Sequence, residues 1–386
     1  MKLIYISHWR FPSEKTMSPL IMRTCSELAG SGFEVELWIP KRQNKEFEKV
    51  DPYKYHNVEH NFLIRKFPVI DLIGNNSSLS FFIMVATFNI SIFFYALMSF
   101  TFRKSILYGH DLRDIELLCL LSKNTFIEIH DFNMSRFSIL NRMAIKRIKG
   151  LIVTNEIKIA NLKKDFNLKE NQFLHQPNAV DLKMFDINIS QEKAREMLKL
   201  PKDEKIVLYT GHLFFWKGVD TLLESAKFLP SSVKIYFVGG TDEDVKSFKE
   251  KQKKNNIENV IIAGRKEHKE IPLWLKSADV LILPNTAKED ISKYETSPVK
   301  IFEYMASNVP IIASDLPSIR NIVNEKMVWF FEPDNEKSLS EKIIQALNSK
   351  EENSIRTQNA YQEVKKYSWE IRTKNIVNFI EKLENE

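Results

Sequence analysis

The chain of 386 residues is poor in cysteine and contains only ten glycines. Its two cysteines, Cys25 and Cys119, lie far apart in sequence, which excludes a disulfide framework and favours a reducing compartment. The opening MKLIYISHWR lacks the order of basic, apolar and small-residue segments that a signal peptide has, so we expect a cytoplasmic protein. Hydrophobic residues at 44% and charged residues at 27% are typical of a folded globular chain.

The first half of the chain has fewer acidic than basic residues. Residues 1–185 contain 25 Lys and Arg against 18 Asp and Glu, a balance of +7. The remainder holds 56 − 25 = 31 basic and 50 − 18 = 32 acidic residues, a balance of −1. This asymmetry predicts an anionic partner for the first half, either a membrane surface or a phosphorylated acceptor, unless the excess is only a solvated surface. The sequence contains no nucleic-acid module, and its basic residues are not interleaved with aromatic residues that look exposed, so we expect no nucleic-acid partner.

Strand-like and helix-like segments alternate along the whole chain. Apolar runs such as KLIYIS, FEVELWIP, KIVLYTG and VKIYFVGG are each followed by a loop and an amphipathic segment. That order predicts an α/β protein with parallel sheets. We expect one Rossmann-like domain over 1–185, a second over 186–367, and a C-terminal helix over 368–386 that crosses back to the first domain.

Chemistry-bearing residues concentrate in the stretch 291–320. Ser297 and Pro298 predict a helix that begins at Pro298 with Ser297 as its N-cap, and Val299, Phe302 and Met305 or Ala306 would face a core. Glu295 precedes this cap and Glu303 lies in the second turn, with seven residues between them. Free N–H groups and the positive end of the helix dipole lie between the two carboxylates, so an anion such as a diphosphate could bind at Ser297–Val299.

The two glutamates resemble the E-x7-E motif of retaining GT-B glycosyltransferases of family 4. Gly211 and Lys217-Gly218 also match that family, whereas His212 stands where arginine is common. The resemblance implies two Rossmann-like domains that face each other across a cleft, and a sugar transfer with retention from a nucleoside-diphosphate sugar such as a UDP- or GDP-sugar.

The resemblance also implies roles for individual residues. Lys217 and His212 would contact the diphosphate, Glu303 the ribose and Glu295 the transferred sugar. His130, at the end of a first-domain strand, would lie near the reacting carbon, with Asp131 orienting its ring. Arg265, together with Gly264, would frame the base. No metal and no cofactor are expected, since no Asp-x-Asp motif occurs in a pocket context.

Two other functions share these features. One is a GT-B sugar-nucleotide epimerase, and the other is a catalytically silent protein that binds glycans or membranes. The second would explain the absence of glycine from residues 10–18, a loop in which the family usually has glycines and in which Ser13 and Lys15 are the only weak candidates. We expect a transferase that acts on a glycan or a lipid-linked acceptor in cell-surface polysaccharide or glycolipid synthesis.

Residues 72–102 contain no charged side chain, and Arg103-Lys104 follow directly. The apolar run 79–102 is long enough to span a bilayer, to form a buried helix, or to lie at a membrane interface. Spanning is disfavoured because the strands on either side would belong to one sheet and because Asn89 and Ser91 lie at its middle. A helix that is apolar all round exceeds what one sheet can cover, so 79–104 predicts peripheral contact with the inner face of the cell membrane.

Overall fold

The computed structural model describes the whole chain except residues 14–16, 43–46, 48, 73–77 and 131–138. The chain divides into two compact units. The first unit comprises Met1–Gln176 and Glu370–Glu386, and the second comprises Pro177–Trp369.

The first unit is built on a sheet of seven parallel strands in the order β3-β2-β1-β4-β5-β6-β7. The strands are β1 (Lys2–Ile6), β2 (Glu34–Pro40), β3 (Leu63–Phe67), β4 (Ile106–Gly109), β5 (Thr125–Ile129), β6 (Gly150–Val153) and β7 (Phe173–His175). The helices are α1 (Met17–Gly30), α2 (Pro52–Tyr55), α3 (Ser78–Met98), α4 (Leu112–Ile115), α5 (Ile139–Ile145) and α6 (Glu156–Phe166). Apolar residues cover both sheet faces, as expected of strands that read as continuous hydrophobic runs.

The second unit repeats this design with six parallel strands in the order β10-β9-β8-β11-β12-β13. The strands are β8 (Lys205–Thr210), β9 (Val233–Val238), β10 (Val260–Gly264), β11 (Val280–Leu283), β12 (Ile311–Ser314) and β13 (Trp329–Phe331). The helices are α7 (Leu182–Phe185), α8 (Gln191–Leu198), α9 (Val219–Ser225), α10 (Asp242–Lys254), α11 (Ile271–Ser277), α12 (Val299–Ala306), α13 (Pro317–Arg320), α14 (Glu336–Asn348) and α15 (Lys350–Val364). Both strand orders are Rossmann-like, so the predicted α/β class with two such domains is confirmed.

The units divide earlier than residue 185, the domain end expected from the sequence. Residues after Pro177 pack on the second unit, where Val180 donates its N–H to Tyr367 O at 3.0 Å. Phe185 is buried in that unit's core. These long-range contacts decide the division, and no composition change marks it.

A last helix, α16 (Trp369–Asn385), belongs to the first unit from Glu370 onward. Ile376, Phe379 and Ile380 insert into the core under one sheet face. On the same helix, Arg372 is fully buried and forms an ion pair with Glu128 of β5. Burial alone would raise the pKa of Glu128, but Arg372 and His130 hold it below its usual range.

Helix α3 is the one helix in the described part of the chain that is long and apolar enough to cross a membrane. Met84, Phe88 and Ile92 form its buried face. Asn89, also buried, donates from Nδ2 to Arg113 O at 2.8 Å and to Val85 O at 3.0 Å, so protein satisfies its donors, while its Oδ1 has no hydrogen-bond partner among the described residues. Strands β3 and β4, on either side of α3 in sequence, lie in the same sheet, which was the premise for disfavouring a membrane span.

The opposite face of α3 is exposed. Phe82, Phe94 and Met98 are 67%, 60% and 75% exposed, and Ile90 and Leu97 are half exposed. We call these five residues the α3 apolar face. Its exposure is unusual because a helix packed on a soluble core normally places polar residues on the solvent side.

Breaking the buried Arg372–Glu128 pair should destabilise the first unit strongly. Arg372→Met leaves Glu128 buried beside fewer positive charges, and we expect a loss of about 3–5 kcal/mol in the free energy of unfolding. Urea denaturation measures this, with Arg320→Met as the control, because Arg320 pairs with Asp315 on the exposed surface and should cost about 1 kcal/mol or less. Equal losses in the two variants would contradict the prediction.

Candidate functional site

The segment with the two glutamates forms a π-helical turn, Ile291–Glu295, followed by helix α12. Helix α12 begins at Val299, so the predicted start at Pro298 is wrong, and Pro298 occupies the N-cap position with an extended ψ of 112°. Ser297 does not cap the helix. Asn178 contacts it instead, with Asn178 Nδ2 donating to Ser297 O at 2.8 Å and Asn178 N–H to Ser297 Oγ at 3.5 Å.

The core-facing side of α12 follows the predicted spacing in part. Phe302, Met305 and Ala306 are buried, as expected. Val299 is 37% exposed, so its predicted core position is wrong, and Ile301 is buried in its place. The first turn therefore presents Val299 toward solvent.

Glu303 is largely buried on α12, with its carboxylate 15% exposed. His268 Nε2 lies 3.5 Å from Glu303 Oε1, and this carboxylate raises the pKa of His268. Glu295 lies at the end of the π-helical turn and is partly exposed. The helix start thus lies between the two carboxylates along the chain, and all these residues belong to the second unit.

Lys217 follows the carboxyl end of β8, at the end of a short 3-10 turn. Gly218 comes next with φ +69°, and a Cβ there would approach Pro284 O to 1.8 Å, so only glycine fits. Lys217 Nζ lies 3.7 Å from the centroid of the Trp216 ring. Burial lowers the pKa of Lys217 to about 8, and the amine is therefore still mostly protonated at pH 7.

His212 and Arg265 are both exposed beside these strand ends. The His212 ring stacks on Phe214, with centroids 4.8 Å apart and an interplanar angle of 3°. Arg265 follows Gly264, whose φ of +69° turns the chain at the end of β10. Their expected contacts with the phosphate and the base stay predictions.

Lys300 is a residue that the sequence analysis missed. It lies in the first turn of α12, three residues before Glu303, and its Nζ is buried without a hydrogen-bond partner among the described residues. A Cβ built on Gly211 would lie 2.6 Å from Lys300 Nζ. The sequence could have indicated Lys300 through its spacing, because Lys300 and Glu303 are three residues apart and therefore share a helix face.

His130 lies in the first unit, just after β5, with Nε2 2.5 Å from Glu128 Oε1. Glu128 also accepts a hydrogen bond from Tyr108 Oη at 2.9 Å. Asp131, expected to orient the ring, lies outside the described residues, as does Lys15 of the first loop.

Two more histidines lie at neighbouring strand ends of the first unit. His8, after β1, places Nδ1 2.7 Å from Asp114 Oδ1, and its N–H donates to Asp114 Oδ2 at 3.3 Å. Burial would lower the pKa of His8, but Asp114 raises it. His110, after β4, has both ring nitrogens buried and unpartnered among the described residues, and this burial lowers its pKa to about 3.

No cluster of three or more His, Cys, Asp or Glu side chains suited to a metal ion occurs within the described ranges.

Residues 190–363 match the sequence profile of the family Glycosyl transferases group 1, and this whole match lies in the second unit. A curated relative, the N,N'-diacetylbacillosaminyl-diphospho-undecaprenol alpha-1,3-N-acetylgalactosaminyltransferase of Campylobacter jejuni, is 29% identical over 61% of this chain and 61% of its own length. Matches to the curated relatives span between 36% and 66% of those proteins' lengths.

Solved structures match over the whole chain. Sucrose-phosphate synthase from Thermosynechococcus elongatus superimposes with a TM-score of 0.79 at 18% identity, covering 100% of this chain and 99% of that one. HepE of Anabaena, solved in complex with UDP, gives a TM-score of 0.75 at 16% identity, covering 99% and 100%. The chain has the GT-B fold of these proteins.

His110 should make stability depend on pH. The unfolded histidine titrates near 6.5 and the folded one near 3, so its stabilising effect is full above pH 6.5 and is lost as pH falls toward 3. From pH 7 to pH 5 we expect a loss of up to about 2 kcal/mol from this group. His110→Asn should weaken that dependence in urea denaturation at both pH values.

The control is His60→Gln, which removes a histidine that lies exposed on the surface of the same unit. The prediction would be refuted if the free energy of unfolding of His110→Asn changed with pH as much as that of the unchanged protein.

Proposed function

We propose that this protein is a retaining glycosyltransferase that transfers a sugar from a nucleoside-diphosphate sugar to a glycan or lipid-linked acceptor. The observation that carries the proposal is the placement of two lysines and a helix start beside Glu303 at the strand ends of the second unit. The match of this unit to Glycosyl transferases group 1 supports transfer, and the UDP bound to HepE supports a UDP-sugar donor, with a GDP-sugar as the alternative.

The leaving nucleoside diphosphate carries the charge that develops in the reaction. Lys217 and the N–H groups at Ser297–Val299 would stabilise that charge, because ordered donors in a partly dry site need little reorganisation. Gly211 leaves room for the phosphates to approach the backbone. No residue of the described site is placed as a covalent nucleophile, and we propose a metal-independent transfer that needs no cofactor.

The sugar and nucleoside would be held by side chains. Glu303, largely buried, would accept hydrogen bonds from the ribose hydroxyls, and Glu295 would hold a hydroxyl of the transferred sugar. Arg265 would frame the base and His212 would contact a phosphate. In the first unit, His130 would act near the reacting carbon.

The acceptor would be presented at a membrane. The α3 apolar face offers aromatic and aliphatic side chains that a bilayer interface would bury, and Arg103 and Lys104 follow it directly. The +7 balance of residues 1–185 favours an anionic leaflet such as the inner face of the cell membrane. The Campylobacter relative is named for a lipid-diphosphate substrate, which supports a lipid-linked acceptor and a role in polysaccharide or glycolipid synthesis.

A panel of nucleotide sugars tests the activity. Release of the nucleoside diphosphate with transfer to a lipid-linked or glycan acceptor supports the proposal. Conversion of the donor to an isomeric sugar nucleotide would instead show an epimerase, and binding of glycans or membranes without turnover would show a silent protein. Proton NMR of the product's anomeric centre distinguishes retention from inversion.

Glu303→Ala and Lys217→Ala should each lower transfer at least about tenfold, because each loses a charge-assisted hydrogen bond of about 1.5–3 kcal/mol. Both variants should also bind the free nucleoside diphosphate more weakly in calorimetry. Glu341→Ala, on α14, is the matched control. Unchanged diphosphate affinity in both site variants would exclude this donor site.

Liposome flotation tests the membrane contact. The protein should float with anionic liposomes at low salt and less at high salt, and Phe82→Ser with Phe94→Ser should reduce flotation severalfold by removing two exposed aromatic anchors. Phe228→Ser removes a 44% exposed phenylalanine from the second unit and should have no effect. A protein that stays soluble with every liposome, anionic or neutral, would refute the docking surface.

A further inference from the structure

The side chain of Lys300 ends in a site that satisfies none of its three donors. Lys300 Nζ is buried, and no described residue accepts a hydrogen bond from it. The amine lies beside Gly211, where an added Cβ would be 2.6 Å from it, and over the face of the Tyr209 ring, whose centroid is 3.9 Å away. A cation–π contact offsets only part of the cost of removing an ammonium from water.

A buried amine without hydrogen-bond acceptors destabilises the protein, and an anionic ligand could supply those acceptors. Lys217, at the same strand end, repels a charge on Lys300, while Glu303 on the same helix attracts it. Two amines that converge on one strand end match a ligand with at least two negative charges. Glycine at 211 leaves room for the Lys300 amine, since a Cβ there would lie 2.6 Å from Lys300 Nζ.

We propose that Lys300 is a second cation for the donor diphosphate and that it takes up a proton when the diphosphate binds. The proposal rests on the donor site described above. It adds a cation from α12 to the one that Lys217 supplies at this strand end.

The proton balance follows from burial. Without a ligand, burial lowers the pKa of the Lys300 amine well below its usual value, and Lys217 lowers it further. A bound diphosphate raises that pKa again, so the amine gains a proton from solvent and donates hydrogen bonds to phosphate oxygens. The facing groups are Lys217, Glu303 and Tyr209, and burial keeps Tyr209 protonated by raising its pKa.

Affinity for the diphosphate should therefore fall as pH rises, since binding consumes a proton. The experiment is calorimetric titration with UDP at pH 7.5 and 8.5, in two buffers of different ionisation enthalpy. The unchanged protein should show proton uptake. Lys300→Met should bind UDP about tenfold or more weakly, and the uptake and the pH dependence should both decrease.

Lys300→Met should also keep or raise the melting temperature, because methionine fills the site without an unpaired amine. Lys300→Arg is the second variant. Its guanidinium stays protonated at every pH tested, so proton uptake should fall even if affinity is retained. Lys342→Met is the matched control, because Lys342 lies on α14 and bonds Gln345 at 2.9 Å.

The proposal would be overturned if Lys300→Met bound UDP with the same affinity and the same proton uptake as the unchanged protein. That result would leave the donor site itself intact. Failure of the unchanged protein to bind either UDP or GDP would overturn the donor site itself, and the role of Lys300 with it.

Discussion

Close backbone packing at the carboxyl end of β8 is the constraint on which the candidate site depends. A Cβ on Gly239 would lie 2.2 Å from Gly211 O, and one on Gly218 would lie 1.8 Å from Pro284 O. The chain has few glycines, yet it places them where neighbouring backbones leave no room for a side chain. This packing brings Lys217 to the strand end and leaves a space beside Gly211 that Lys300 reaches from α12.

Charge in this site is concentrated and incompletely compensated. Lys217 and Lys300 both have lowered pKa values because burial disfavours their charged forms. Such amines cost stability in the empty protein and gain it back when an anion binds. The first unit differs, because two of its buried groups have a partner of opposite charge. Arg372 pairs with Glu128, and His8 contacts Asp114. Arg372 and Glu128 therefore stabilise the fold, whereas the role proposed for Lys217 and Lys300 is to bind an anionic ligand.

The α3 apolar face raises a parallel question about exposed surface. A core helix that is apolar on both sides has one face that protein does not cover, and water is a poor solvent for it. Docking on a membrane would bury that face while leaving the sheet below unchanged. Asn89 fits this arrangement because its amide bonds Arg113 on the protein side of the helix.

Much of the fold could be predicted because strands and helices follow local patterns. Apolar runs such as KIVLYTG and VKIYFVGG located parallel strands, here β8 and β9. The resemblance to glycosyltransferases was recognisable from Glu295, Glu303 and Lys217, whose spacing is a property of the chain alone. Their predicted roles stay proposals.

Tertiary contacts decided the rest. Ser297 faces Asn178, more than a hundred residues away in sequence, so it does not cap its own helix. Lys300 looked like an ordinary helix lysine until the fold placed its amine beside Gly211. The sequence by itself determined which elements form and which motif residues the chain carries, because those follow from local periodicity and spacing. Which side chains are buried without partners was decided only by the tertiary structure, because burial depends on segments that are distant in the chain.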